Sequence, residues 1–144
     1  MKTIESETTL AAAPDEVWSV ITGFSAYPEW NPFITRMEAE LREAAAFRAK
    51  SCLPSGLRLG FVGRILSIDP GKRISWIGRP TTMPAAAMEV THIFTLRAVD
   101  GGTHLHQREE ATGFMVPISG WILGQARKGQ VEMNDALARR LAQH

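Results

Sequence analysis

Alternating apolar and polar residues predict β-strands near the N-terminus and through the middle of the chain. Residues 2–10 alternate loosely and predict a first strand, and further strands follow between residues 34 and 112. Turn-forming residues separate several of them, at Pro54-Ser55-Gly56, Asp69-Pro70-Gly71-Lys72 and Asp100-Gly101-Gly102. The stretch 78–87, which contains two prolines, predicts a longer loop. The later strands are predicted at 34–41, 46–53, 57–68, 73–77, 88–98 and 103–112.

Helical patterns stand at the two ends of this strand region. Pro14 in a first turn, with Asp15 and Glu16 beside it, predicts a helix that ends at Gly23. After Pro117 the apolar residues recur every three or four positions, which predicts one face of a long C-terminal helix. The residues of this face are Ile118, Ile122, Ala126, Gly129, Met133, Leu137 and Leu141.

The aromatic segment 27–33 predicts a packed corner. Pro28 and Pro32 restrict their own backbone and that of the preceding residues, so the segment is expected to be stiff and non-helical. With about seven strands, two short helical pieces near the start and a long final helix, the chain predicts an α+β fold in which the final helix covers one face of the sheet. No repeat or linker interrupts it, so residues 1–144 are expected to form a single domain.

Composition and charge narrow the range of partners. The chain has 144 residues, 44% of them hydrophobic and 22% charged, which is typical of one globular domain. A net charge of +1 and scattered Lys and Arg residues give little field for a polyanion, so no nucleic-acid partner is expected. Cys52 is the only cysteine, which excludes an intramolecular disulfide and fits a cytoplasmic location. The N-terminus lacks the apolar core of a signal peptide, and no stable membrane insertion is expected.

Several motifs occur in an order that resembles a known superfamily. They are Pro14-Asp15-Glu16-Val17-Trp18, the aromatic segment 27–33, the turn and strand at 69–76, the hairpin at 92–103, the strand at 107–113 and the helix at 133–137. This set resembles the polyketide cyclase/dehydrase and lipid-transport proteins of the START-like (SRPBCC) superfamily. The resemblance implies a helix-grip fold, a curved antiparallel sheet wrapped around the C-terminal helix. It leaves function open, because the superfamily includes cyclases, lipid and quinone binders, hormone-binding proteins and chaperone activators.

Alternation also predicts which side chains of the last two strands face inward. In 88–98 the even positions are nearly all apolar, so the inward set includes Met88, Val90, His92, Phe94 and Leu96. In the next strand a polar row should face water, formed by His104, His106, Arg108 and Glu110. This turns Gln107 and Glu109 inward.

The turn at Asp100-Gly101 predicts the register of this hairpin. A two-residue type I′ turn places His92 opposite Glu109 and Phe94 opposite Gln107. A three-residue loop with a bulge would leave His92 and Glu109 diagonal, with both still inward. The pair then has two interpretations. It is either a structural hydrogen-bonded pair beside the core, or part of a polar cluster that orients a ligand or moves a proton within an apolar cavity.

Candidate ligand-binding residues combine this polar cluster with nearby aromatic and apolar positions. The prolines around Trp30 also favour a purely structural role for that residue. His92 and Glu109 are in addition the candidate catalytic residues. The full candidate set is Trp30, Phe33, Phe61, Trp76, Met88, Val90, His92, Phe94, Gln107, Glu109, Trp121 and Ile122.

No motif indicates a metal or cofactor. His104 and His106 share one strand face but lack a further His or Cys ligand, so a solvated surface pair is expected. Ser119-Gly120-Trp121 does not form a nucleophile elbow, and Gly101-Gly102 is a hairpin turn and not a phosphate loop.

The segment 113–124 is apolar on more than one face, although most of it is expected to be the core face of the helix. The surplus is expected to form a lid or a homodimer contact, and a membrane surface is less favoured because few basic residues adjoin it. Gly120 and Gly124 share one helix side and predict a close approach to the sheet or a ligand.

Three functions follow as hypotheses. The first is binding of a small hydrophobic molecule, such as a lipid, an aromatic polyketide-like compound or an isoprenoid, in a cavity between sheet and helix. The second is a cyclase/dehydrase-type enzyme without a cofactor, in which the His92–Glu109 pair moves a proton. The third is a protein-interaction module like the chaperone activators.

Overall fold

A curled antiparallel sheet is the largest element of the computed structural model, which describes residues 1–143. Within these residues the sheet has seven strands, in the order β1-β7-β6-β5-β4-β3-β2. Consecutive strands from β2 to β7 are neighbours, and β1 joins the sheet beside β7. The strands are β1 (Lys2–Leu10), β2 (Ile34–Glu38), β3 (Ala46–Cys52), β4 (Arg58–Asp69), β5 (Arg73–Pro80), β6 (Glu89–Val99) and β7 (Gly102–Thr112).

Three α-helices accompany the sheet in the described residues, α1 (Pro14–Thr22), α2 (Tyr27–Trp30) and α3 (Gly120–Ala142). Short 3₁₀ turns precede α2 and α3, at Phe24–Ala26 and Val116–Ile118. The long α3 packs mainly against β1, with α1 and α2 beside it. The core lies between the concave face of the sheet and this helix. The predicted α+β helix-grip fold is therefore confirmed.

The aromatic corner differs from the prediction, because Tyr27–Trp30 is a short helix and not extended backbone. Pro28 stands in its first turn, where the missing backbone N–H costs no helical hydrogen bond. The helix ends at Asn31, whose backbone is extended before Pro32. The buried Tyr27 hydroxyl donates to the carbonyl of Ile21, and burial raises its pKa.

Strand β5 is longer than predicted and runs to Pro80, so the following loop begins at residue 81. Its extension pairs Gly78 with Gly63 of β4. A Cβ at Gly63 would lie 1.9 Å from the Ile77 carbonyl oxygen, and one at Gly78 would lie 2.6 Å from the Phe47 ring. Neither position has room for a side chain, and this glycine pair lets the two strands and Phe47 approach closely.

The β6–β7 hairpin has the predicted register. Val99 pairs with Gly102, Phe94 with Gln107 and His92 with Glu109. The predicted turn type is wrong. A type I′ turn needs a positive φ at both central residues. Gly101 has a φ of 78°, but Asp100 does not have a positive φ, since Ala44 is the one non-glycine residue among residues 1–143 that does.

The apolar segment before and within the start of α3 is largely exposed. Phe114, Ile118 and Trp121 are 68%, 75% and 62% exposed, whereas Val116 and Leu123 are buried. The expected close approach at Gly120 and Gly124 is wrong, because a Cβ at either position would meet no atom within 4 Å. Both face away from the sheet. No helix in the described part of the chain combines the length and apolarity that a membrane crossing needs.

Candidate functional site

Two adjoining compartments lie on the concave face of the sheet, and α3 lines the second of them. The first, named here the aromatic compartment, leaves about 40 Å³ for the centres of water-sized molecules. The second, the aliphatic compartment, leaves about 60 Å³ on the same measure. Shared walls join them, formed by Phe33, Ser51, Phe61, Val90 and Glu109.

Each compartment has a lining of its own character. The aromatic compartment is further bounded by Phe47, Trp76, Gly78 and His92. The aliphatic compartment is bounded by flexible and branched side chains from the strands, the β5–β6 loop and α3, including Ile4, Leu53, Leu59, Met83, Met88 and Ile122. A molecule that filled both would place a flat part among rings and a flexible part among aliphatic chains.

Most of the predicted site residues reach this cavity, and four do not. The lining includes Phe33, Phe61, Trp76, Met88, Val90, His92, Glu109 and Ile122. Trp30 instead packs edge-on against Tyr27, with ring centroids 5.5 Å apart. Phe94 and Gln107 are fully buried behind the lining. Trp121 lies outside the cavity and is exposed, because its position on α3 is about 100° around the helix from that of Ile122.

Phe33 is held in place from two sides. The Asn31 side chain accepts hydrogen bonds from the backbone N–H groups of Phe33 and Ile34, at 3.0 and 2.9 Å. On the other side Gly129 of α3 faces the ring, and a Cβ there would lie 2.4 Å from its Cδ1 atom. The missing side chain at residue 129 thus allows the ring to stand between the helix and the compartments.

His92 sits within a group of aromatic rings. Its imidazole stacks on Phe94, with centroids 4.4 Å apart and planes inclined by 16°. The rings of Trp76 and Phe33 lie 5.4 and 6.4 Å away. These contacts restrict the plane of the imidazole ring.

A buried hydrogen-bonded chain begins at the imidazole. His92 Nε2 lies 2.9 Å from Gln107 Oε1, which accepts the hydrogen bond. Gln107 Nε2 donates to Asn134 Oδ1 of α3 at 2.7 Å. Asn134 Nδ2 then donates to Ser6 Oγ of β1 at 3.1 Å. The chain thus passes from β6 through β7 to the helix and then to β1.

The same chain returns to the cavity at Glu109. The Ser6 hydroxyl donates to Gln130 Oε1 at 2.8 Å. Gln130 Nε2 donates to Glu109 Oε1 at 2.9 Å. The two cavity-lining ends, His92 and Glu109, are opposed in the hairpin but are joined only through this chain within the described residues. We call the six residues the buried chain: His92, Gln107, Asn134, Ser6, Gln130 and Glu109.

Both ends of the buried chain keep one atom that no described residue engages. His92 bonds through Nε2 and Glu109 through Oε1, which leaves His92 Nδ1 and Glu109 Oε2 without protein partners in residues 1–143. Their side chains are 5% and 8% exposed and line the compartments. By contrast, Trp30 Nε1 and Asn31 Nδ2 are side-chain atoms that have no partner among the described residues and are completely buried. His92 Nδ1 and Glu109 Oε2 are therefore open to the cavity.

Sequence reasoning missed the middle of the buried chain. Gln130 and Asn134 are four residues apart on α3 and lie beside the apolar face that includes Gly129 and Met133. Two amides on a buried helix face are a detectable signal, since buried polar groups need partners. Their partner Ser6 is more than 120 residues away in sequence, and no local pattern connects the two.

The opposite face of β7 carries the predicted water-facing row. His106 and Arg108 lie 3.0 and 3.1 Å from Glu5 Oε1. Although partial desolvation opposes the charged form, the hydrogen bonds from Arg108 and His106 lower the pKa of Glu5. A hydrogen bond to Glu110 is the main cause that raises the pKa of Arg108. His104 lies 3.4 Å from Glu7, and within residues 1–143 no three His, Cys, Asp or Glu side chains converge as a metal site would need.

Comparison with known families places this site in context. The family model described as polyketide cyclase/dehydrase and lipid transport matches residues 1–144. No curated protein matches the sequence significantly.

Solved structures share the fold over nearly the whole chain. Protein MLL2253 from Mesorhizobium loti is 19% identical, with a TM-score of 0.78 and coverage of 99% of this chain and 98% of that one. Protein CV1439 from Chromobacterium violaceum is 21% identical, with a TM-score of 0.73 and 96% coverage of both chains. The di-domain ARO/CYC StfQ from the steffimycin biosynthetic pathway is 18% identical, with a TM-score of 0.69, over 99% of this chain and 52% of that one. At these identities the likeness shows the fold alone.

Proposed function

Because the chain belongs to the polyketide cyclase/dehydrase and lipid transport family, we propose that it binds a small hydrophobic molecule in the two compartments. The observation that carries this proposal is the pair of polar atoms, His92 Nδ1 and Glu109 Oε2, that lie open in a mostly apolar lining that also includes Ser51. Such a combination of apolar walls and a few convergent polar groups is typical of small-molecule sites. Buried polar groups are otherwise almost always satisfied within the protein.

The size of the compartments sets a condition on this binding. A water molecule needs roughly 10–15 Å³ on the measure used for the compartments, so each one holds only a few waters. A ligand with a ring and a short chain therefore requires side chains to move. Met83 and Met88 line the aliphatic compartment, and unbranched thioether side chains adjust their shape at low cost.

Titration with pentylbenzene, followed by amide NMR spectra of the isotope-labelled protein, tests the proposal. We expect shifts concentrated at residues that line the compartments. Val90→Phe should abolish them, because Val90 lines both compartments and a larger side chain there fills the shared space. Thr91→Phe is the matched control, since Thr91 points to the other face of β6. Binding that Val90→Phe leaves intact, or no binding of pentylbenzene or a hydroxylated relative, would contradict the proposal.

A second candidate function is acid–base catalysis at the same place. The observation that favours it is that two titratable side chains, His92 and Glu109, both reach the cavity and are oriented by hydrogen bonds. A positioned imidazole with a free Nδ1 can accept a proton from a carbon acid, and solvent can return one to the same carbon.

Deuterium exchange into benzoylacetone in heavy water measures this activity without a known substrate. Catalysis at His92 predicts that the protein accelerates exchange at the central carbon and that His92→Gln removes the acceleration. His106→Gln is the control, because His106 lies on the outer face of β7. Equal exchange rates for the wild type and His92→Gln would leave binding as the function of the cavity.

A further inference from the structure

We infer that the ligand presents hydroxyl donors to the cavity, and that it is a phenol with an alkyl chain. This inference rests on the proposed binding function and specifies the class of molecule. It depends on the direction of the buried chain. All five hydrogen bonds point the same way, from the imidazole to the carboxylate.

The direction of the buried chain determines the proton on His92. Gln107 Oε1 can only accept, so His92 Nε2 carries the hydrogen. In the neutral ring, Nδ1 is then a lone-pair acceptor. At the other end Glu109 receives a hydrogen bond on Oε1, and Oε2 is also an acceptor. Both ends of the buried chain therefore present acceptors to the cavity, whereas the groups of the lining that can donate are the Ser51 hydroxyl and the Trp76 indole N–H.

The hydrogen bonds of the buried chain depend on one another, so their donor-to-acceptor order cannot be reversed at one residue alone. Turning Gln107 alone would set a donor against a donor at His92 and an acceptor against an acceptor at Asn134. Turning Gln130 alone would set its oxygen against the Glu109 carboxylate. Reversal therefore requires Gln107, Asn134 and Gln130 to turn together and a proton to be placed on Glu109. Chains of aligned hydrogen bonds also polarise one another and strengthen in a low-dielectric interior. The ligand thus meets fixed acceptors at the two ends of the buried chain.

The linings specify the rest of the molecule. The rings of Phe47, Trp76 and His92 bound the aromatic compartment and favour a flat ring there. A hydroxyl on this ring would reach His92 Nδ1. An alkyl chain on the opposite side of the ring would pass the shared wall into the aliphatic compartment, and a second hydroxyl would satisfy Glu109 Oε2. A carboxylate would bring a negative charge to two acceptors, and an ether would leave both unsatisfied.

A matched set of ligands tests the polarity. We expect para-pentylphenol to bind about tenfold or more tightly than para-pentylanisole, because a ligand without a donor leaves a buried acceptor unpaired. Pentylbenzene should resemble the anisole, and para-pentylbenzoate should bind more weakly than the phenol. Equal affinities for the phenol and the anisole would overturn the inference while leaving hydrophobic binding intact. A preference for the benzoate would also overturn it, since donors of the lining, and not the acceptors at the ends of the buried chain, would then select the ligand.

Glu109→Gln reverses the polarity at one end of the buried chain. Gln130 still donates to the oxygen of the new side chain, so the amide nitrogen of that new side chain faces the cavity as a donor. Because this end of the buried chain meets the second hydroxyl of the ligand, we expect the affinity ratio of 4-pentylresorcinol to para-pentylphenol, which exceeds one in the wild type, to fall to about one or below, with pentylbenzene affinity unchanged within about twofold. An unchanged ratio in a folded Glu109→Gln protein would contradict the role of Glu109.

Ser6 acts as a positioning residue in the middle of the buried chain, away from the cavity lining. Ser6→Ala removes the link between Asn134 and Gln130, so Gln107 and Asn134 can turn together while the hydrogen of His92 moves to Nδ1. We expect a smaller phenol-to-anisole ratio with little loss of pentylbenzene affinity. Ser75→Ala is the matched control, because Ser75 is also buried but bonds to Ser67 outside the buried chain. The same ratio in wild type, Ser6→Ala and Ser75→Ala would refute the positioning role.

Discussion

The two faces of β7 carry similar residue types in different surroundings. The inner face presents Gln107 and Glu109, and the outer face presents His106, Arg108 and Glu110. On the outer face the charged side chains pair across β1 and along β7 while water reaches them. On the inner face, polar atoms meet other buried side chains in geometries of 2.7 to 3.1 Å.

This difference shows that the same kinds of polar group contribute differently to stability on the two faces of β7. Exposed ion pairs add little to stability, because water and salt screen them and their long side chains lose entropy. A buried hydrogen bond leaves an unsatisfied group behind when one partner is removed. We therefore expect the inner row to govern both stability and ligand selection, and the outer row to contribute little to either.

The largest expected effect comes from removing the centre of the inner row. Gln107→Leu keeps a similar volume but leaves His92 Nε2 and Asn134 Oδ1 without partners. We expect the free energy of unfolding in urea to fall by about 2 to 4 kcal/mol, since two buried groups lose their hydrogen bonds. Arg108→Leu, one residue along on the outer face, should change stability far less. Equal losses for the two variants would remove the distinction between the faces.

Glycines of α3 extend the same contrast to the helix. Gly129→Ala should destabilise the protein by about 1 to 3 kcal/mol, because the added Cβ overlaps the Phe33 ring. Gly124→Ala should stabilise it by about 0.5 to 1 kcal/mol, because the site is open and alanine favours the helix. Thermal unfolding monitored by circular dichroism measures both. A shift in the same direction for the two variants would contradict the packing of Phe33 against α3.

The smallest effect is a pH dependence on the outer face. The pKa of Glu5 is lower in the folded protein than its ordinary value, so the stability that it contributes is present above the ordinary pKa and is lost as the pH falls through the folded value. Glu5→Gln should flatten the unfolding free energy slightly over this acidic range, and added salt should reduce the difference between variant and wild type. Glu7→Gln, which removes the partner of His104, is the comparison variant for this pH dependence. A difference that grows with salt would contradict an exposed ion pair as its origin.

The hairpin and the buried chain show how far sequence reasoning reaches. Strand alternation has a period of two, so it assigned Gln107 and Glu109 to the inner face, and a short turn was enough to predict their register with Phe94 and His92. The turn type was wrong, because the register of a two-residue loop does not determine the φ of Asp100.

The details of the cavity depend on how distant segments pack. The position of Trp121 depends on the rotation of α3 about its axis, and one residue decides between the cavity and solvent. The partners of Ser6 come from α3, at the other end of the chain. Helix periodicity predicts which face of α3 is apolar, but it contains no information about which strand that face will meet.

Nitrogen NMR of the histidine side chains tests the direction of the buried chain most directly. In protein labelled at histidine and held at a pH where the ring is neutral, we predict that His92 carries its hydrogen on Nε2 and a lone pair on Nδ1. Addition of para-pentylphenol should then shift the Nδ1 resonance as it accepts the hydroxyl hydrogen. A hydrogen on Nδ1, with the lone pair on Nε2 toward Gln107, would contradict the account.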